Sequence, residues 1–144
     1  MSNSCETPCI GICSTIYGDE VCLGCLRRFD EVIDWNQYQE SDKKNIIARI
    51  YQLVDTVMAQ YFTHVNENVL DQAIQPSALR LVNQPSAWFK AYRLLRDDSS
   101  RFESFKSLGL SVAKPYQSVP VSELIQQLCD EIYQCAFKQY QGRC

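Results

Sequence analysis

The sequence has few of the residues that keep a chain extended or disordered. Its 144 residues include only five glycines and five prolines, which excludes a collagen-like or low-complexity chain. The 46% of hydrophobic residues is enough to form a core, and the net charge is only -3. The apolar runs are too short for a membrane span, and residues 1–6 lack the pattern of a secretory signal. We therefore expect one globular protein of the cytoplasm without membrane association.

The sequence also lacks the short motifs of the common enzyme classes. It contains no G-x-S-x-G elbow, Walker loop, G-x-G-x-x-G turn or H-E-x-x-H helix. His64 is the only histidine, and we expect it to be buried, hydrogen-bonded or at the end of a helix rather than a ligand. No catalytic constellation is predicted.

Cysteine is abundant, and its distribution is uneven. Five of the eight cysteines fall in the first 25 residues, and Cys9, Cys13, Cys22 and Cys25 have the spacing C-x3-C-x8-C-x2-C. Disulfides do not persist in a reducing cytoplasm, so two close pairs of thiols favour a metal site. Gly24 lets the backbone curl within the second pair. The spacing predicts these four cysteines as metal ligands, against the alternative of reduced thiols in a small apolar segment.

Residue type alone leaves the metal open. Four thiolates suit tetrahedral Zn²⁺ and equally an iron–sulfur cluster. A zinc ion closed by four cysteines would be structural, because it has no open coordination position. Cys5 is the spare thiol, and we expect it in a frayed terminus.

The motifs around these cysteines resemble a known family. The sequence reads Pro-Cys-Ile-Gly-Ile-Cys over 8–13 and Cys-Leu-Gly-Cys over 22–25, followed by Arg27, Asp-Glu-Val over 30–32 and Trp35. Over residues 8–50 this is similar to the YdhL-like bacterial proteins of unknown function, often described as predicted iron–sulfur proteins. The resemblance implies the same four cysteines as ligands and implies no reaction. Arg28 departs from the pattern, because a small hydroxylated residue is expected there.

The rest of the chain has the periodicity of helices. We predict a mostly α protein in which a Cys-rich metal knuckle over residues 1–40 packs as one compact unit against a bundle of four to five helices over 41–144. The predicted helices begin with an N-cap at Asp30 and another at Ser41, which opens a long helix. The further predicted features are the following: one apolar face on the long helix with Ile46, Ile50, Val54, Val57 and Tyr61, a short helix over 69–74, a helix over 86–96 that Pro85 and Ser86 begin, a capping box from Ser100 to Glu103 before a helix closed by Gly109, a loop over 111–120, and a last helix from Val121 to Ala136 whose apolar stripe includes Leu124, Leu128 and Ile132.

Charge and aromatic residues suggest where a partner would bind. Residues 1–35 carry two arginines against six acidic residues, whereas residues 76–144 carry nine basic against six acidic residues. Lys90, Arg93, Arg96 and Arg101 are predicted as a possible partner surface beside five aromatic residues, for which core packing is the favoured interpretation. Cys129 and Cys135 are expected to be small buried hydrophobes of the last helix.

Two classes of function follow. The first is a metal-binding interaction or regulatory module with a protein partner. The alternative is an iron–sulfur protein that transfers electrons or senses oxidants. Nucleic acid is an unlikely partner because the Cys-rich segment is acidic. The sequence assigns no particular partner, substrate or oligomeric state.

Overall fold

The computed structural model describes residue 15 and residues 18–75, 81, 84–98 and 102–140. Of residue 140 it describes only the backbone. Within these residues the chain is mostly helical, with five α-helices, one two-stranded sheet and short 3₁₀ turns. The elements are α1 (Phe29–Asp34), α2 (Glu40–Tyr61), β1 (Phe62–Val65), α3 (Glu67–Ile74), α4 (Ala87–Asp97), β2 (Leu110–Val112) and α5 (Val121–Tyr140), with 3₁₀ turns at Trp35–Gln37, Phe105–Leu108 and Lys114–Tyr116. None of the helices described has the length and apolarity to span a bilayer.

The first two helices begin earlier than their sequence signals predict. Helix α1 begins after Arg28 rather than Asp30, because the carboxylate of Glu31 accepts the backbone N–H of Arg28 at 2.9 Å. Helix α2 begins after Gln39 rather than Ser41. By contrast, the helix predicted to begin at Pro85 and Ser86 does begin there, and Ser86 is its N-cap, because the Ser86 Oγ accepts the backbone N–H of Phe89 at 3.2 Å.

A small sheet lies where the sequence predicts helix end and loop. Strand β1 pairs antiparallel with β2, and the prediction of a loop throughout 111–120 is therefore wrong. The helical pattern ends at Tyr61, after which Phe62 is buried while the next two side chains are exposed. His64 is consequently an exposed strand residue and not a buried or helix-end histidine.

The segment after α4 is also less helical than predicted. The described part contains a 3₁₀ turn at Phe105–Leu108 instead of an α-helix, and Ser100 lies outside the described residues. Gly109 closes this turn with a φ of +75°, as its predicted place at the end of a helix requires. Its carbonyl accepts the N–H of Asn66, and a Cβ at Gly109 would lie 2.6 Å from the Asn66 carbonyl oxygen.

The core joins the N-terminal turns to the helices. Val21 and Leu26 are buried in the same apolar cluster as the inward faces of α2, α4 and α5. The fully buried members of α5 are Leu124, Leu128 and Ile132, in agreement with the predicted stripe. Cys129 and Cys135 are half-buried and pack against this cluster, and burial raises the pKa of Cys129 to about 11. Their predicted role as small hydrophobic side chains is consistent with these contacts.

Candidate metal centre

The second pair of predicted ligands lies on one tight turn. The backbone N–H of Cys22 donates to the carbonyl of Arg27 at 2.9 Å, and the N–H of Leu26 donates back to the carbonyl of Cys22 at 2.8 Å. Leu26 adopts a φ of +65°, a conformation that a residue with a Cβ rarely takes. The turn is therefore strongly determined by its surroundings, since such a conformation persists only where neighbouring contacts enforce it.

This turn brings the two thiols together inside the protein. Cys22 is 1% exposed and Cys25 is 7% exposed, and a hydrogen bond joins their side chains. Neither cysteine is in a disulfide. The hydrogen bond to Cys22 and burial raise the pKa of the Cys25 thiol well above its ordinary value. A raised pKa argues against a reactive nucleophile at neutral pH, because nucleophilic cysteines need a lowered pKa.

An arginine guanidinium lies directly against one of the thiols. The Nε of Arg27 donates to the Sγ of Cys25 at 3.2 Å, and Arg27 is itself buried. The guanidinium also lies 4.8 Å from the centre of the Trp35 ring, and the Nζ of Lys43 lies 5.9 Å from the same centre. Trp35 is buried against Ile47. The thiols are thus next to fixed positive charge, which would stabilise thiolates.

A second arginine connects α4 to the same turn. The guanidinium of Arg96 donates to the backbone carbonyl of Gly24, between the two cysteines, and to the hydroxyl of Tyr92 at 3.1 Å. Asp97 pairs with Arg96 and with Arg93, at 2.8 and 2.9 Å. Burial would raise the pKa of Asp97, but the bonds from the two arginines outweigh it and hold the pKa below its ordinary value. The position of the turn is therefore set partly by α4.

An ion pair between the buried Glu31 and the partly exposed Arg49 fastens α1 to α2. Glu31 accepts two hydrogen bonds from the guanidinium of Arg49 on α2, at 2.6 and 2.7 Å. Burial would raise the pKa of Glu31, but the bonds from Arg49 and from the Arg28 N–H outweigh it and lower the pKa. A two-point contact of this kind fixes orientation as well as distance. Helix α1 is consequently held in one position on α2.

The structure places only half of the predicted ligand set. Cys22 and Cys25 are brought together, whereas Cys9 and Cys13, like Cys5, lie outside the described residues. Within the described part of the chain, no three His, Cys, Asp or Glu side chains are close enough to hold a metal ion. The pair at Cys22 and Cys25 thus needs ligands from elsewhere to complete a four-thiolate site.

The predicted partner surface is mostly used for internal contacts. Arg93 is buried and Arg96 is largely covered, and both form the contacts with Asp97 described above. Lys90 is more accessible, and its Nζ lies 3.6 Å from the Oδ1 of Asp71. Arg101 lies outside the described residues. The neighbouring aromatic residues pack in or against the core, the interpretation favoured from sequence. Arg93 and Arg96 therefore make contacts within the fold.

The contacts of Arg27, Glu31 and Arg49 were not predicted from the sequence. Arg27 is only two residues after Cys25, but no regular element relates the two side chains, because Leu26 between them has a φ of +65°. The partnership of Glu31 with Arg49 spans 18 positions. It had no local signal, because the two residues meet only when α1 packs on α2.

Comparison with known proteins finds one likeness, confined to the N-terminal third. Residues 7–53 match a family profile described as "Protein of unknown function (DUF1289)". The matched segment includes all four predicted ligands, α1 and the first half of α2, in agreement with a resemblance to a bacterial family of unknown function. No curated protein and no solved structure matches the chain. The chain is therefore similar to this family over the segment that surrounds the cysteine turn.

Proposed function

We propose that Cys22 and Cys25, with Cys9 and Cys13, bind a metal centre in a small interaction or regulatory module. The observation that carries the proposal is the turn at 22–25, on which two buried thiols face each other. A C-x2-C pair on a tight turn can direct two sulfurs to one ion. Reduced thiols and a protein partner fit a cytoplasmic setting.

The charges around the turn support this assignment. Four thiolates on one divalent ion leave a net negative centre, which burial would disfavour without positive charge nearby. Arg27 donates to one sulfur, and Arg96 donates to the carbonyl between the two cysteines. When bound, the metal would cross-link the N-terminal segment to this turn. Arg27 would then act as a positioning residue that also lowers the basicity of one ligand.

The nature of the metal separates the main proposal from its alternative. Zn²⁺ would make the centre a structural clamp for a module that presents a surface. An iron–sulfur cluster would favour electron transfer or oxidant sensing, and the Arg27 N–H···S contact is the observation that supports it. Hydrogen bonds to cluster sulfurs raise the reduction potential. In that case we expect Arg27→Leu to lower the potential of the purified protein.

The test is metal, iron and acid-labile sulfide content, with a visible spectrum, on the full chain purified without oxygen. Cys22→Ser and Cys25→Ser are compared with Cys135→Ser, a matched control on α5. We expect both turn variants to lose metal and to melt at lower temperature, because serine oxygen is a poor substitute for a soft thiolate. The control should retain the metal of the unaltered protein.

Each result has a definite meaning. About one zinc per chain without sulfide would establish the structural clamp, whereas iron with matching sulfide would establish the cluster. Unchanged metal content and melting temperature in both turn variants would refute the four-cysteine assignment. Equal metal loss in Cys135→Ser would also refute it, because that result would point to a general effect on folding.

A further inference from the structure

The segment around the cysteine turn exposes large apolar side chains. Among the described residues, three large hydrophobic side chains are exposed, and all three lie within eleven positions of one another: Leu23 at 53%, Phe29 at 48% and Ile33 at 62%. Single exposed hydrophobic residues are ordinary on protein surfaces, but several in one short segment are typical of an interaction surface.

Two of these side chains form a row along α1. Phe29 and Ile33 are four residues apart, so they lie on the same face of the helix, one turn from each other. The opposite face is fixed inward by Glu31, which is buried against Arg49, and by Trp35 directly after the helix. Because those contacts determine the rotation of α1, the row of Phe29 and Ile33 is held outward.

A row of acidic residues runs beside the apolar row. Asp30 and Asp34 are again four residues apart and follow Phe29 and Ile33 in sequence, which places them on the neighbouring strip of α1. Desolvation and the nearby carboxylates of Asp30 and Asp34 raise the pKa of Tyr38, so the field here is negative. The exposed side chain of Glu20 extends the acidic rim, since the carbonyl of Glu20 accepts the N–H of Phe29.

We propose that the Phe29–Ile33 row and its Asp30–Asp34 rim bind a basic amphipathic helix of another protein. Apolar anchors at helical spacing on the partner would pack against Phe29 and Ile33, while lysine or arginine beside them would meet the acidic rim. This rests on the proposed function, because it assigns the partner surface of that same module. It moves that surface from the arginines of α4 to α1.

The experiment measures binding of the full chain to a labelled Leu/Lys peptide, with leucines at positions i, i+3, i+4 and i+7, by fluorescence anisotropy. A Leu/Glu peptide of the same pattern tests charge selection. We expect Ile33→Ser and Phe29→Ser each to raise the Kd for the Leu/Lys peptide about tenfold, because truncating an anchor has the largest effect on affinity. Asp30→Asn/Asp34→Asn should raise it severalfold and reduce its dependence on salt.

Matched variants on exposed sites of other helices provide the controls. Gln52→Ser on α2 and Glu123→Gln on α5 change an exposed polar or acidic side chain far along the chain from α1, and we expect the Kd to stay within about twofold of the unaltered value. Equal Kd values for Ile33→Ser, Phe29→Ser and Gln52→Ser would overturn the proposal. Equal binding of the Leu/Glu peptide would overturn it as well.

The remaining outcomes separate this inference from the metal assignment. A dimer that light scattering detects and Ile33→Ser abolishes would identify a second copy as the occupant and refute a heterologous partner. Metal content is measured on the same samples. Peptide binding that Phe29→Ser and Ile33→Ser weaken, in samples without any metal, would support the binding surface on α1 and refute the metal centre. Samples that contain metal but whose peptide binding these variants do not change would refute the binding surface alone.

Discussion

The head, residues 18–38, and the helical body, the described residues of 40–140, differ in the proportion of polar side chains that they bury. The interior of the head holds two thiols, a guanidinium and a carboxylate, those of Cys22, Cys25, Arg27 and Glu31, beside the apolar Val21, Leu26 and Trp35. Among the described residues, the three large hydrophobic side chains that are exposed all lie on its surface. The interior of the body is mainly apolar, with Leu124 and Leu128 of α5 completely buried, and its buried charged residues are Lys43 and Arg93.

The contrast shows that the two regions are stable for different reasons. The body buries mainly apolar side chains, so the hydrophobic effect is its main source of stability. The head buries a larger share of polar groups, which is favourable only when each has a partner of suitable charge or hydrogen-bonding capacity. The proposed metal centre depends on the buried thiols of the head, and the proposed partner surface depends on its exposed apolar side chains.

The largest effect is expected from truncating an apolar side chain in the body. Leu128→Ala should lower the free energy of unfolding by about 2 to 5 kcal/mol, because Leu128 is fully buried and its removal leaves a cavity. Ile33→Ala in the head should change it by less than about 0.5 kcal/mol, because Ile33 is exposed. Urea denaturation followed by circular dichroism measures both. Equal losses would show that the head buries Ile33 in solution and would remove the contrast.

The next effect tests the polar interior of the head. Glu31→Gln should lower the free energy of unfolding by about 2 to 3 kcal/mol at neutral pH, since it removes a paired charge from Arg49. The folded-state pKa of Glu31 lies below its ordinary value of 4.5. Its stabilisation is therefore present above pH 4.5 and is lost as the pH falls through the folded-state pKa.

Denaturation of the protein and of Glu31→Gln at several pH values gives the measurement. The difference between the two should shrink as the pH falls below 4.5. A difference that is constant with pH would show that the Glu31 carboxylate is not charged and paired in the folded protein.

The sequence predicted the two regions unequally, for a physical reason. Apolar periodicity identified α5 and most of α2, because a buried helical face leaves a regular local pattern. The cysteine spacing predicted the turn at Cys22 and Cys25. The contacts of Glu31 with Arg49 and of Arg96 with Gly24 left no such pattern, because they join residues 18 and 72 positions apart. Their partners are determined by tertiary packing rather than by local sequence.

A smaller loss of stability is expected when a glycine of either region is replaced by alanine. Gly109→Ala should lower the free energy of unfolding by about 1 to 2 kcal/mol, because it combines a positive φ with a clash against the Asn66 carbonyl. Gly18→Ala in the head meets nothing within 4 Å and has only the strain of its φ of +101°. Thermal denaturation should therefore rank Gly109→Ala as the more harmful. The reverse order would show that the first turn of the head is packed more tightly than the link between β2 and α3.

The smallest effect concerns the contact between the two regions. Asp97→Asn should lower the free energy of unfolding by about 0.5 to 1 kcal/mol, less than Glu31→Gln, because the Asp97 side chain is 27% exposed whereas that of Glu31 is 6% exposed. The pKa of Asp97 is lowered from 3.8, so this contribution is lost as the pH falls below that value. Arg96 keeps its bond to the Gly24 carbonyl in this variant, and the metal content should be unchanged.

Denaturation at neutral and acidic pH, with metal analysis of the same samples, checks the prediction for Asp97→Asn. Loss of metal from Asp97→Asn would mean that the pair of Arg96 and Asp97 helps to position the cysteine turn, so that the stability of the body and metal binding by the head are coupled through α4.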